Sequence, residues 1–146
     1  MKAMTLHTLR FAAAAAMAAM LLVVSACSKS TDHELRDKWK LERYSLADGR
    51  TMEVDSVFFN FMKGSASVIY ACGSTPYYTM YGAYRLWADS MEVELHAETD
   101  AARRAEYFDR YLGWGDDFKQ RFRIRTLTSS TLELERGDTI MHMTKH

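Results

Sequence analysis

From Lys38 onward apolar and polar residues alternate with period two, the repeat of a strand with one buried face. Trp39 and Leu41 alternate with Lys38, Lys40 and Glu42 before the turn signal Ala47-Asp48-Gly49, and Val57, Phe59 and Phe61 alternate with Phe58 and Asn60 until Lys63-Gly64-Ser65. Val68 to Ala71 is a short apolar run broken by Cys72-Gly73-Ser74-Thr75-Pro76, where the chain's only proline costs no ladder hydrogen bond. Tyr77 to Ala88 carries apolar groups on both parities. Tyr78, Met80, Gly82, Tyr84 and Leu86 share one face, and mid-strand Gly82 predicts a kink where a barrel wall bends. Met91 to His96, Phe118 to Thr126, Thr131 to Glu135 and Thr139 to Lys145 complete eight short strands. Even spacing and tight turns predict an all-β barrel or sandwich in which each strand pairs with its sequence neighbour.

One helix interrupts the series. Asp100 stands at the N-cap, Ala101, Ala105, Phe108 and Leu112 recur at three- and four-residue spacing, and Gly113 occupies the position just past the end. So narrow a stripe needs a surface to pack on, and one end of a barrel offers it.

Charge then refines the pairing. Glu92, Glu94 and His96 share a parity, Lys119, Arg121, Arg123 and Arg125 share one in the next strand, and Glu133 and Glu135 share one in the third. With these strands antiparallel neighbours in that order, a basic row lies between two acidic rows on the solvent face and fixes the register. The alternative, a polyanion-binding stripe, is opposed by the flanking acids.

The N-terminal stretch is of another kind. Met1 to Arg10 holds Lys2 and Arg10 and no acid, and Phe11 to Val24 is an unbroken apolar run. At 14 residues it is shorter than the about 20 a membrane-spanning helix needs, and its charge-then-apolar order is that of a cleaved secretory signal. Val24-Ser25-Ala26-Cys27 at its end resembles the bacterial lipobox. That resemblance implies cleavage before Cys27, a diacylglyceryl group on its sulfur and usually a third acyl chain on its amine; the alternative is ordinary cleavage at Ser25-Ala26. Two or three chains hold firmly to a membrane. The expected organisation is a lipoprotein signal peptide at 1–26, a flexible polar tether at 27–36 and a β-barrel domain at 37–146. Because Ser28 rather than Asp follows the cysteine, resemblance to bacterial sorting rules favours the outer membrane.

Removing Lys2 and Arg10 with the leader changes the balance, leaving 17 basic residues against 19 acidic ones. A slightly acidic domain invites neither nucleic acid nor anionic lipid. With Cys27 lipidated, Cys72 has no disulfide partner, and with no cation beside it in sequence it reads as a buried small hydrophobe. His33 falls in the tether and His146 is terminal; His96 beside Glu92 and Glu94 is more simply a solvated face than a metal site. No nucleophile elbow, phosphate-cradling glycine loop or zinc-ligand spacing occurs. No enzyme and no cofactor are expected.

Several of these pieces together resemble the small lipocalin-like lipoproteins of Bacteroidetes: the lipobox, a polar tether, Trp39-Lys40-Leu41, Tyr81-Gly82-Ala83-Tyr84 leading through Asp89-Ser90 into Met91-Glu92-Val93-Glu94-Leu95, and Phe122-Arg123-Ile124 before Thr131-Leu132-Glu133-Leu134. The resemblance covers about residues 37 to 145 and implies an eight-stranded up-and-down barrel with one short helix. It also implies an internal site for a small hydrophobic or amphipathic ligand. Trp39, Phe59, Phe61, Tyr84, Phe122 and Met141 are the candidate lining residues, the alternative being that they form the core of a filled barrel that docks on an envelope protein partner as an accessory subunit or inhibitor. In lipocalins a Gly-x-Trp opens the first strand and a late basic residue packs on that Trp. Here Asp37 takes the glycine's place, and Lys145 or Arg136 is the candidate cation.

Overall fold

The computed structural model describes residues 30–71 and 77–146. Nine strands form one antiparallel sheet: β1 (Lys38–Ser45), β2 (Thr51–Glu53), β3 (Val57–Met62), β4 (Ser65–Tyr70), β5 (Tyr78–Trp87), β6 (Ser90–Leu95), β7 (Lys119–Leu127), β8 (Thr131–Arg136) and β9 (Thr139–Lys145). β2 and β3 both pair with β1, each strand from β3 to β8 pairs with the next, and β1 also pairs with β9, closing the sheet on itself. The barrel nevertheless has eight staves. β3 pairs with the start of β1 (Lys38↔Asn60) and β2 with its end (Ser45↔Thr51), and Val54 N donates to Glu42 O at 2.8 Å between them. The two are therefore halves of one stave, broken where Ser56 adopts a φ of 65°. The sequence pattern misses β2 because all three of its residues are exposed, so nothing alternates there.

Period-two alternation survives as alternate burial: β3 buries Val57, Phe59 and Phe61, β6 buries Met91, Val93 and Leu95, and β8 buries Leu132 and Leu134. Trp39, Leu41, Val68 and Tyr70 add to one apolar interior. Gly82 earns its place through close approach. A Cβ there would lie 2.0 Å from the Glu94 carbonyl oxygen and 2.7 Å from Leu95 Cα, so β5 and β6 meet at a distance only glycine permits.

The charge ladder forms on the solvent face. Glu94 faces Lys119 (2.9 Å), Glu92 faces Arg121 (3.5 Å) and Arg123 faces Glu135 (3.7 Å). It departs from expectation at its far end. A bulge between Ile124 and Thr126 inserts Arg125, so Glu133 lies opposite Thr126 and accepts its hydroxyl at 2.9 Å instead of facing an arginine.

Both barrel ends are covered. Residues 30–35 form a short helical segment, α1, in the stretch expected to be a flexible tether over 27–36. That expectation needs correcting from residue 30 onward. Leu35 is fully buried and its carbonyl accepts the Trp39 indole N–H at 2.8 Å, while the Tyr84 hydroxyl donates to Asp32 at 2.6 Å. A single leucine and one acceptor for a buried indole seat this turn, a signal too slight to stand out in a polar sequence. Residues 27–29, with the signal region, lie outside the described residues.

At the opposite end lies α2, which begins as Ala101–Arg103 and continues with π-type hydrogen bonding over Arg104–Leu112. Asp100 caps it by accepting from Arg103 N at 3.0 Å, and Gly113, with a φ of 64°, ends it. Phe108 and Leu112 face inward. Among the described residues no helix is long and apolar enough to cross a membrane.

Candidate ligand site at the helix-covered mouth

The six candidate lining residues all point into the barrel, each at most 5% exposed. They divide between its two halves. Trp39, Phe59, Phe61 and Tyr84 lie toward α1: Trp39 is opposite Phe59, Phe59 stacks on Phe61 with ring centroids 6.2 Å apart, and Phe61 meets Tyr84 edge-on at 5.3 Å. Phe122 and Met141 lie toward α2, the first against Trp114 (6.0 Å) and the second opposite Tyr44. The α1 half is packed and capped.

The mouth beneath α2 is different. Tyr44 near the end of β1, Leu46 in the turn just past it, Met52 from β2, Tyr111 and Leu112 from α2 and Arg136 at the end of β8 line a cavity of about 190 Å³. That is smaller than the roughly 300–1,000 Å³ of drug-sized pockets, enough for a head group or a short chain. Its wall combines these aromatic and aliphatic side chains with Asp109, Arg110, Arg136 and Thr139. The Tyr44 hydroxyl donates to Tyr111 O at 3.1 Å, and burial raises its pKa, so it stays a neutral donor at physiological pH. Arg136 makes both of its described hydrogen bonds to neutral oxygens, Gly113 O (2.8 Å) and Gln120 Oε1 (2.9 Å), tying the turn to the end of α2. Its full positive charge is thus presented at the mouth beside Asp109 and Arg110.

Aromatic rings hold α2 down. Tyr107 stacks on Tyr78 at 4.1 Å, and Tyr70 meets Tyr107 and Tyr111 at 4.7 and 5.3 Å while donating its hydroxyl to Tyr107 O at 2.9 Å. Burial, reinforced by a hydrogen bond to Glu98, pushes the Tyr78 hydroxyl up to about 12. Each such ring pair contributes roughly 0.5–1.5 kcal/mol beyond area burial. Of these tyrosines Tyr70 and Tyr78 fall within the strand pattern; Tyr107 and Tyr111 lie outside it, although their i, i+4 spacing on α2 is a usable signal.

On the outer wall the Ser45 hydroxyl lies 2.8 Å from His142 Nε2, and His142 Nδ1 lies 3.0 Å from Glu133, in the order of a hydrolase triad. The surroundings are those of a sheet. Ser45 is laddered to both Thr51 and Ile140, and the next N–H, of Leu46, donates to Arg50 O, so these backbone groups are committed elsewhere than to an oxyanion. His96 does not join Glu92 and Glu94 in a cluster: both carboxylates pair with Lys119, and no group of three metal-ligand side chains occurs among the described residues. Cys72 lies outside the described residues.

Lys145 Nζ lies 5.8 Å from the centre of the Trp39 ring, as the family resemblance implied for one of two candidate cations. A family model described as a lipocalin-like domain matches residues 20–146. The chain belongs to the lipocalin-like domain family. Two solved structures agree: a lipocalin-like protein from Bacteroides uniformis, 34% identical with a TM-score of 0.67, and an uncharacterized protein from Bacteroides eggerthii, 28% identical with a TM-score of 0.67. Each alignment covers 77% of this chain and 99% of the other. No curated protein matches. The resemblance to lipocalin-like proteins of Bacteroidetes and the eight-stranded barrel with its short helix are thus both borne out, and a lipocalin-like barrel is generally a binding fold without catalysis.

Proposed function

We propose that this lipocalin-like protein is a lipid-anchored envelope lipoprotein, held in the outer membrane through Cys27, that binds a small hydrophobic or amphipathic ligand through the α2 end of its barrel. The observation that carries the reading is the mouth. Tyr44, Leu46, Met52, Tyr111 and Leu112 form an apolar wall there beneath a helix, edged by the charged side chains of Asp109, Arg110 and Arg136. Such a distribution suits a molecule with an apolar body and a polar end. Cys27 and the signal region lie outside the described residues, so the anchor rests on the sequence motif.

A second reading, a non-catalytic interaction module with a filled barrel, draws on the ring-to-ring packing of Phe59, Phe61 and Tyr84 and on the capping of both ends. Native mass spectrometry of the chain purified from its own membrane separates the two. A retained small molecule supports carriage, and repeated absence of any adduct, with no apolar probe displaced from the barrel, favours the filled module.

A further inference from the structure

Among the described residues one buried side-chain polar atom has no hydrogen-bond partner, Nε1 of Trp114. The chain contains a direct comparison. The other indole inside the barrel, Trp39, gives its N–H to Leu35 O at 2.8 Å, as a buried donor ordinarily does.

Trp114 is held in place by its backbone. Gly113 and Gly115 on either side both adopt left-handed conformations, with φ of 64° and 61°, and the Trp114 N–H donates to Phe108 O at 2.8 Å. This Gly-Trp-Gly corner turns the indole inward until it is 4% exposed, against Phe108 at 6.3 Å and Phe122 at 6.0 Å. A phenylalanine would fill such space without burying a donor.

Resting on the carriage reading, we propose that Trp114 Nε1 is the polar contact for the ligand: its N–H donates to the carbonyl oxygen of a neutral carboxyl, ester or ketone group on a molecule whose apolar part lies among inner-face side chains at the α2 end. The indole nitrogen is a donor only, so its partner must bring an acceptor. A trapped water is the less fitting occupant, because it needs two to four polar partners, whereas the rings packed on Trp114 are phenylalanines. An oxygen carried by an apolar molecule needs only the one. Phe122, a candidate lining residue, is then a wall of this site, and Met91, opposite Phe122 on the neighbouring strand, is the pliable side chain that makes room.

The test uses the full ¹⁵N-labelled chain kept soluble in amphipol, with decanoic acid and decane as probes. The three indole N–H resonances are assigned with Trp39→Phe, Trp87→Phe and Trp114→Phe variants. Decanoic acid is expected to move the Trp114 Nε1–H resonance downfield, and Trp114→Phe to weaken decanoic acid about tenfold more than it weakens decane, one hydrogen bond's worth. The shift is read on the wild-type chain, so it stands even if the Trp114 variant folds poorly. If both probes bind and the resonance does not move, or keeps an unaltered cross-peak to water, the assignment of Trp114 falls while carriage survives. If neither probe binds, both fall.

Discussion

Lys145 and Trp39 meet at the end of the barrel covered by α1, with Nζ 5.8 Å from the ring centre and also 2.8 Å from the Asp37 carboxylate. Asp37 stands where lipocalins carry the glycine of Gly-x-Trp, so the departure from the family pattern is coupled to the feature that is retained. The acid fixes the cation that covers the tryptophan. Arg136, the other candidate cation, is at the opposite end on Gly113 O. Lys145→Ala is expected to cost about 0.5–1 kcal/mol in urea unfolding, since the pair is over a third exposed. The bond from Lys145, then that from Lys38 N–H, holds the Asp37 pKa below its ordinary 3.8. A depressed carboxylate pKa gives stability that is present above the ordinary value and lost as pH falls below it. Asp37→Asn should therefore flatten the acid limb of stability below about pH 4.

Gly82→Ala is expected to be among the most damaging single-methyl additions in the chain. The new Cβ meets backbone atoms of Glu94 and Leu95, which cannot rotate away, so β5 and β6 must separate. A loss of about 3 kcal/mol or more is anticipated by chemical denaturation; a loss below about 0.5 kcal/mol would show that the two strands do not approach so closely.

Arg123 and Glu135 are directly opposed across β7 and β8, 3.7 Å apart at the solvent face. Arg123→Glu alone should cost no more than about 1 kcal/mol, and adding Glu135→Arg should recover most of it. Failure of the double reversal to recover would argue against this register.

Glu133 titrates below the ordinary carboxylate range, chiefly because the Thr126 hydroxyl donates to it, with His142 assisting. Thr126→Val is expected to raise the Glu133 pKa in an NMR titration. Stability that Glu133 supplies above its ordinary value of 4.5 then fades at a higher pH during acid titration.

Cys27→Ser is expected to shift the chain from the membrane pellet to the soluble fraction, with loss of acyl mass from the mature N-terminus. A variant still sedimenting with membranes would refute anchoring through this cysteine.

Strand order and most of the inward-facing set were legible because β3, β6 and β8 each keep one wet face, so alternation there records burial directly. Phe59 follows from that alone. Features made by few residues were not legible. β2 has no buried side chain, α1 rests on one leucine, and the bulge at Arg125 leaves the parity of charged residues looking regular. The mouth was invisible for another reason. Leu46 and Met52 belong to a turn and an exposed edge, Tyr111 and Leu112 to a helix, and only closure of β1 on β9 brings them together. Trp114 lay between two glycines in plain view, but its inward turn depends on their left-handed backbone, which no alternation reports.

The seating of α1 also sets an orientation. With Cys27 lipidated as proposed, three residue steps separate it from residue 30, at most about 11 Å of fully extended backbone. The acyl chains then leave from beside the Trp39 end, and the barrel stands on the bilayer like a post on a short footing. Its helix-covered mouth opens away from the lipid, toward whatever the aqueous compartment delivers.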